Sequence, residues 1–165
     1  MEFVLDPQCG VGPIRWGMTV EEARVALVSM ATLDQRVGLT ATRPSELGFS
    51  VGFGVGPTRD RVNAIEVWRP RSNADVVRFL GVDVFGLPAR EVVRQFEGRV
   101  ELAADEDGYA AREVYVALWR PFAADGNPEE TQGYYFQSVL LARPGYDDTP
   151  AEAVARLAAG GHPGY

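Results

Sequence analysis

No lysine occurs in this chain; all sixteen of its basic residues are arginine. That excludes Schiff-base chemistry, which needs an amine nucleophile, and the phosphate-gripping lysine of a P-loop. The one histidine, His162, stands in a glycine-flanked tail, a poor position for the base of a catalytic triad. A single cysteine, Cys9, cannot build a disulfide framework, and with His162 it is too small a ligand set for zinc. No catalytic residue, metal site or cofactor is therefore assigned. Also missing is any run of about eighteen apolar residues, the length needed to span a bilayer. Residues 1–7 have neither a basic region nor a long apolar stretch, so the expected location is the cytoplasm.

What is present is ordinary in amount. Hydrophobic residues make up 46% and charged residues 24%, as in a folded globular chain. A length of 165 residues allows one large or two small domains, burying roughly 70% of the unfolded surface. The net charge of -7 argues against nucleic acid and against anionic membrane, both of which need a basic footprint. It suits solubility, or a basic protein partner.

The pattern is organised around residues 14–27, which read as a strand end, a turn at Gly17 and a helix. Thr19 followed by Glu22 is a capping box, in which each side chain satisfies the other residue's backbone amide. Glu21 and Glu22 also meet the positive end of the helix dipole. Val20, Ala23, Leu27 and Met30 recur at helical spacing and form an apolar face. A degraded copy lies at residues 82–96. Placing Gly86 on Gly17 brings Phe85 onto Trp16, Leu87 onto Met18, Glu91 onto Glu22 and Phe96 onto Leu27, with Pro88 near the first helical position.

The phrase Arg15-Trp16-Gly17-Met18-Thr19-Val20-Glu21-Glu22-Ala23 resembles the helix start that occurs twice in secreted β-lactamase inhibitor proteins and once in small outer-membrane assembly lipoproteins. In the inhibitors each copy is a helix pair on a short antiparallel sheet, and two copies in tandem grip a partner protein. The resemblance implies an α+β fold of two tandem helix-plus-antiparallel-sheet repeats, with the helices on one face of the sheet. Those inhibitors are exported and disulfide-stapled, unlike this chain, so the resemblance implies the fold and not the target. It transfers no site residue.

The expected units are residues 1–70, residues 71–147, and a C-terminal helix and tail at 148–165, with the break at Arg69-Pro70-Arg71-Ser72-Asn73. Residues 33–46 read as polar connection. Residues 50–56 alternate Val51, Phe53 and Val55 against three glycines, and pair as a hairpin with a strand at 62–69. Val76, Val77 and Leu80 suggest a short helix stopped by Gly81. Strands are expected at 112–121 and 134–143, and Thr149 caps a terminal helix with Pro150 first. The Trp-Arg-Pro at Trp68 returns at Trp119, which predicts that the two tryptophans occupy matching positions.

Asp105-Glu106-Asp107-Gly108 resembles part of a calcium loop, but the remaining ligand positions are not met, so it reads as a solvated turn. The surplus lies in strand aromatics. On a sheet covered on one side only, half of them would be exposed, and Trp or Tyr beside Arg is what protein-binding surfaces favour. The candidate partner-binding residues are Trp68, Arg69, Trp119, Arg120, Tyr134 and Tyr135. The expected function is a non-enzymatic intracellular protein-binding module of inhibitor, immunity or adaptor type. The alternative is a small-molecule-binding protein or carboxylate-based enzyme, with Gly52, Gly54 and Gly56 as one wall of its pocket.

Overall fold

The computed structural model describes residues 1–34, 38–106 and 108–160, so Asp107 and the tail containing His162 lie outside the described residues. The chain is α+β. Its first half runs through β1 (Glu2–Asp6), β2 (Gly10–Val11), β3 (Ile14–Arg15) and α1 (Val20–Val28). Four more strands follow: β4 (Thr32–Asp34), β5 (Leu39–Thr42), β6 (Gly48–Phe53) and β7 (Val62–Trp68). The second half has β8 (Val76–Phe79), β9 (Val82–Asp83), α2 (Ala89–Phe96), β10 (Ala103–Ala104), β11 (Gly108–Ala111) and β12 (Val116–Trp119). It ends with the single turn α3 (Thr131–Tyr134), β13 (Ser138–Ala142) and α4 (Pro150–Ala158).

α1 begins where the capping box requires. Thr19 Oγ1 accepts from the Glu22 amide at 3.2 Å, and the Glu22 carboxylate accepts from the Thr19 amide at 2.9 Å. Thr149 and Glu152 form the same box at the start of α4, with Pro150 in the first turn. α2 has no side-chain cap, because Pro88 occupies the cap position itself rather than the first helical one. Gly17 and Gly86 each precede their cap by two residues, with Met18 and Leu87 between, both packed against the core. The glycines serve different ends. Gly17 takes φ 78, which disfavours any side chain. At Gly86 a Cβ would run into the Asp83 carboxylate.

Two sheets result. One has the order β3-β2-β1-β8-β9, in which β1 and β8 run parallel and bring the two halves together. The other has the order β10-β11-β12-β13-β7-β6-β5-β4 and is antiparallel throughout. Each half supplies four strands to it, and the last strands of the halves, β7 and β13, meet in the middle. Alternation along the strands gives this sheet two unlike faces. On the first, Phe49, Val51, Ile65, Val67, Leu118, Val139 and Leu141 are buried in a single hydrophobic cluster with Ala23 and Leu27 of α1 and Val92 and Phe96 of α2. The second face carries Gly48, Ser50, Glu66, Trp68, Leu140 and Trp119, all outside that cluster.

Several elements differ from the sequence reading. Val76–Phe79 form a strand because Val77 and Phe79 are buried at period two beside β1, and the Leu80-Gly81 turn, with φ 49 and 79, makes a hairpin with β9. Residues 33–46 contain β4 and β5, whose second-face residues are Thr32, Asp34, Thr40 and Thr42; that polarity hid the strands. Residues 112–114 curl into a 3-10 turn ending at Tyr115, φ 56, which shortens the expected strand to β12. Tyr134 lies in α3 and Tyr135 just after it, so the expected strand begins only at Ser138. Gly52 lies in β6, whereas Gly54 and Gly56 fall beyond its end. They are packed against Ala64, Thr58 and Pro150 respectively.

Trp68 and Trp119 do not hold matching positions. Trp68 ends the fourth strand after its helix and Trp119 ends the third, so the repeated Trp-Arg-Pro falls at different ranks in the two halves.

Candidate functional site

The strand register lines up a row of five residues across the second face: Gly48 on β6, Trp68 on β7, Ser138 on β13, Trp119 on β12 and Gly108 on β11. Directly paired residues project to the same side, so the two indoles flank Ser138. They meet edge to face with ring centroids 6.1 Å apart and planes at 74°, a favoured aromatic geometry. The serine beneath them is only 2% exposed. The outer glycines make room. A Cβ on Gly48 would come within 3.3 Å of the Trp68 Cβ, and one on Gly108 would collide with the Leu118 carbonyl.

The neighbouring row is Ser50, Glu66, Leu140, Ala117 and Ala110. Next to it, Ala110, Ala117, Leu140 and Ala142 floor a shallow apolar depression of about 360 Å³, rimmed by Tyr115. A second depression beside Trp119 is edged by Asp105 and Glu106. Among the described residues, the paired positions of this face hold no arginine, while Glu66 and Asp34 place carboxylates on it. The face is therefore small-residued and acidic, with one aromatic prominence. Trp68 is 41% exposed, which is high for so large an apolar side chain on a central strand.

The six candidate residues separate. Trp68 and Trp119 come together on the second face. Arg69 follows Trp68 and is turned to the other side of the sheet, where its guanidinium lies 4.2 Å from the Tyr135 ring centroid and its Nε donates to the Phe85 carbonyl at 3.3 Å. Arg120 is buried, 7% exposed, with its Nη1 donating to Asp125 Oδ1 at 2.7 Å and to the Gly133 carbonyl at 2.6 Å. It ties down the excursion between β12 and β13 instead of facing a partner. Tyr134 and Tyr135 pack edge to face at 4.9 Å, half-buried beside that excursion. The glycines, Ser138 and Glu66 completed the face without any sequence signal of their own, because only strand register makes them neighbours.

Among the described residues no group of three or more His, Cys, Asp or Glu could hold a metal. No helix among them is long and apolar enough to cross a membrane. Cys9 is exposed, and Asp6, through a hydrogen bond and its charge, pushes the thiol up from its usual range. No family model, no curated protein and no solved structure matches this chain.

Proposed function

We propose that this protein is a non-enzymatic binding module of the inhibitor, immunity or adaptor type, and that it takes a protein partner on the second face of the eight-stranded sheet. The observation that carries this reading is the row Gly48-Trp68-Ser138-Trp119-Gly108. A fold gains little from an edge-to-face pair of indoles held up between glycines, Trp68 exposed and Trp119 half-buried, whereas a partner burying them gains large apolar area at low entropy cost. Glu66 on the face, Asp105 and Glu106 at its edge, and the overall charge of -7 favour a basic partner, whose arginine or lysine could also lie over an indole. Nucleic acid and anionic membrane are disfavoured by the same charges.

We read the architecture behind the face as two tandem units. Support comes from Gly17 and Gly86 standing two residues before their caps, from Ala23 and Leu27 matching Val92 and Phe96 in full burial, and from the meeting of β7 and β13 at the sheet centre. In this reading α1 and α2 cover the first face, and the second is left to the partner. The arrangement is the one implied by the resemblance to the β-lactamase inhibitors, with the duplicated helix start as its common element.

The test is capture from a lysate of the source organism at physiological salt. The parent chain should retain one basic protein in stoichiometric amount, and the Trp68→Ser, Trp119→Ser double variant should lose it while its circular dichroism stays unchanged. Retention of the same protein by the double variant, or no stoichiometric protein with either chain, would count against the proposal.

A further inference from the structure

We propose that the seam between the two halves binds a small zwitterion, an α-amino acid with a short apolar side chain, with Arg69 taking its carboxylate and Asp83 its ammonium. The site lies on the opposite side of the sheet from the tryptophan pair and does not depend on what that face binds. It is a cavity of about 260 Å³ where the 69–73 connection passes the entrance of α2. Ligand pockets usually measure about 300–1,000 Å³, so this one suits a single small molecule.

Arg69 is held in place without being used up. Its guanidinium stacks on Tyr135 at 4.2 Å and only Nε is engaged, by the Phe85 carbonyl. Among the described residues nothing accepts from its two terminal nitrogens. Burial pulls the Arg69 pKa down from its usual value, with Tyr135 and Asp83 pulling it back, which marks a cation partly stripped of water and short of a partner. A fixed, desolvated guanidinium fork matches a carboxylate in two parallel hydrogen bonds.

Asp83 is the complementary half. Its Oδ1 accepts from the amides of Phe85 at 3.2 Å and Gly86 at 2.8 Å, which fixes the side chain, and Oδ2 has no donor among the described residues. Arg69 and Asp83 feel each other's charge yet form no ion pair, since each is anchored separately. The cavity's other charges are already matched. Asp75 is taken by Arg43, Ser45 and the Met1 ammonium, and Arg71 by Glu46. A bare anion in this space would face Asp83, and a bare cation would face Arg69. A molecule carrying both charges a few bonds apart answers both, and the Phe85, Val76 and Tyr135 walls take an apolar side chain.

Titration calorimetry of the full chain tests this, with L-alanine and L-valine as probes and with acetate, methylammonium and inorganic phosphate as single-charge controls. One of the amino acids should bind with a Kd near or below about 1 mM, so that about 10 mM fills nine-tenths of the sites. The controls should bind at least about tenfold more weakly, a gap of about 1.4 kcal/mol. Arg69→Gln should abolish the heat. Asp83→Asn, which keeps the Oδ1 that orders the turn, should weaken binding about tenfold with its melting midpoint unchanged. It carries the test alone if Arg69→Gln does not fold. No heat with either amino acid at about 10 mM would overturn the proposal. So would acetate or phosphate binding as tightly as the amino acid with Asp83→Asn without effect. The Trp68→Ser, Trp119→Ser double variant should bind the amino acid as the parent does, which separates this site from the sheet face.

Discussion

The two faces of the eight-stranded sheet are built from the same strands at the same registers, yet share almost no chemistry. Across β6, β7, β13, β12 and β11 one row of the first face reads Phe49, Val67, Val139, Leu118, Tyr109; the adjacent row of the second reads Gly48, Trp68, Ser138, Trp119, Gly108. The first row has the large apolar residues that a core demands, and four of its five members are buried. The second could not be part of a core, because glycine and serine leave the volume between strands and a covering layer unfilled. The core is written on one set of alternate residues of these strands and the proposed binding face on the other.

The comparison can be broken most heavily from the first face. Phe49→Ala should destabilise by about 3–5 kcal/mol, since it removes a fully buried ring and leaves a cavity. Urea unfolding would measure it, and a loss under about 1 kcal/mol would mean that this face is not the core.

Acid should act next, through the seam beneath that face. Asp75, 5% exposed, is held at a pKa of about 2 by the Arg43 guanidinium, with Ser45 adding a hydrogen bond. Its folded pKa lies below the unfolded value, so its contribution is whole above about pH 4 and is lost as pH falls toward 2. The expected loss over that window is about 2 kcal/mol, and the Asp75→Asn variant should lack this step in its stability profile.

The start of α1 can be probed more gently. Thr19→Ala should cost about 0.5–2 kcal/mol, because the Glu22 amide loses its acceptor. α2 offers no counterpart to this change, since Pro88 brings no capping side chain.

The two faces were also unequally legible in the sequence. Caps depend on residues three apart, so both Thr-x-x-Glu boxes could be read directly, as could the hairpin of β6 and β7. The doubled Gly17 and Gly86 pattern was readable for the same reason. Strands β4 and β5 were hidden because their second-face residues are polar, and β8 because its alternation spans only four residues. The site was half legible. Trp68 and Trp119 stood out as aromatics, but pairing each with the next arginine misled, because successive strand residues face opposite ways. Ser138 and the two glycines acquire meaning only from a register set by strand partners as distant in the chain as Trp68 is from Ser138.

The smallest stability effect should come from the second face. Trp68→Ser should cost about 1 kcal/mol, mainly the edge-to-face contact with Trp119. A cost near that of Phe49→Ala would erase the distinction between the faces.

The most direct measurement is radical oxidation of the three tryptophans in the free chain and in the complex with its captured partner, read by mass spectrometry. Trp16 is the internal control: it packs against the core cluster and donates its indole N–H to the Pro7 carbonyl at 2.9 Å, away from the second face. Binding on the sheet should protect Trp68 and Trp119 severalfold and leave Trp16 unchanged. Equal oxidation of Trp68 and Trp119 in the free and bound states would contradict the account.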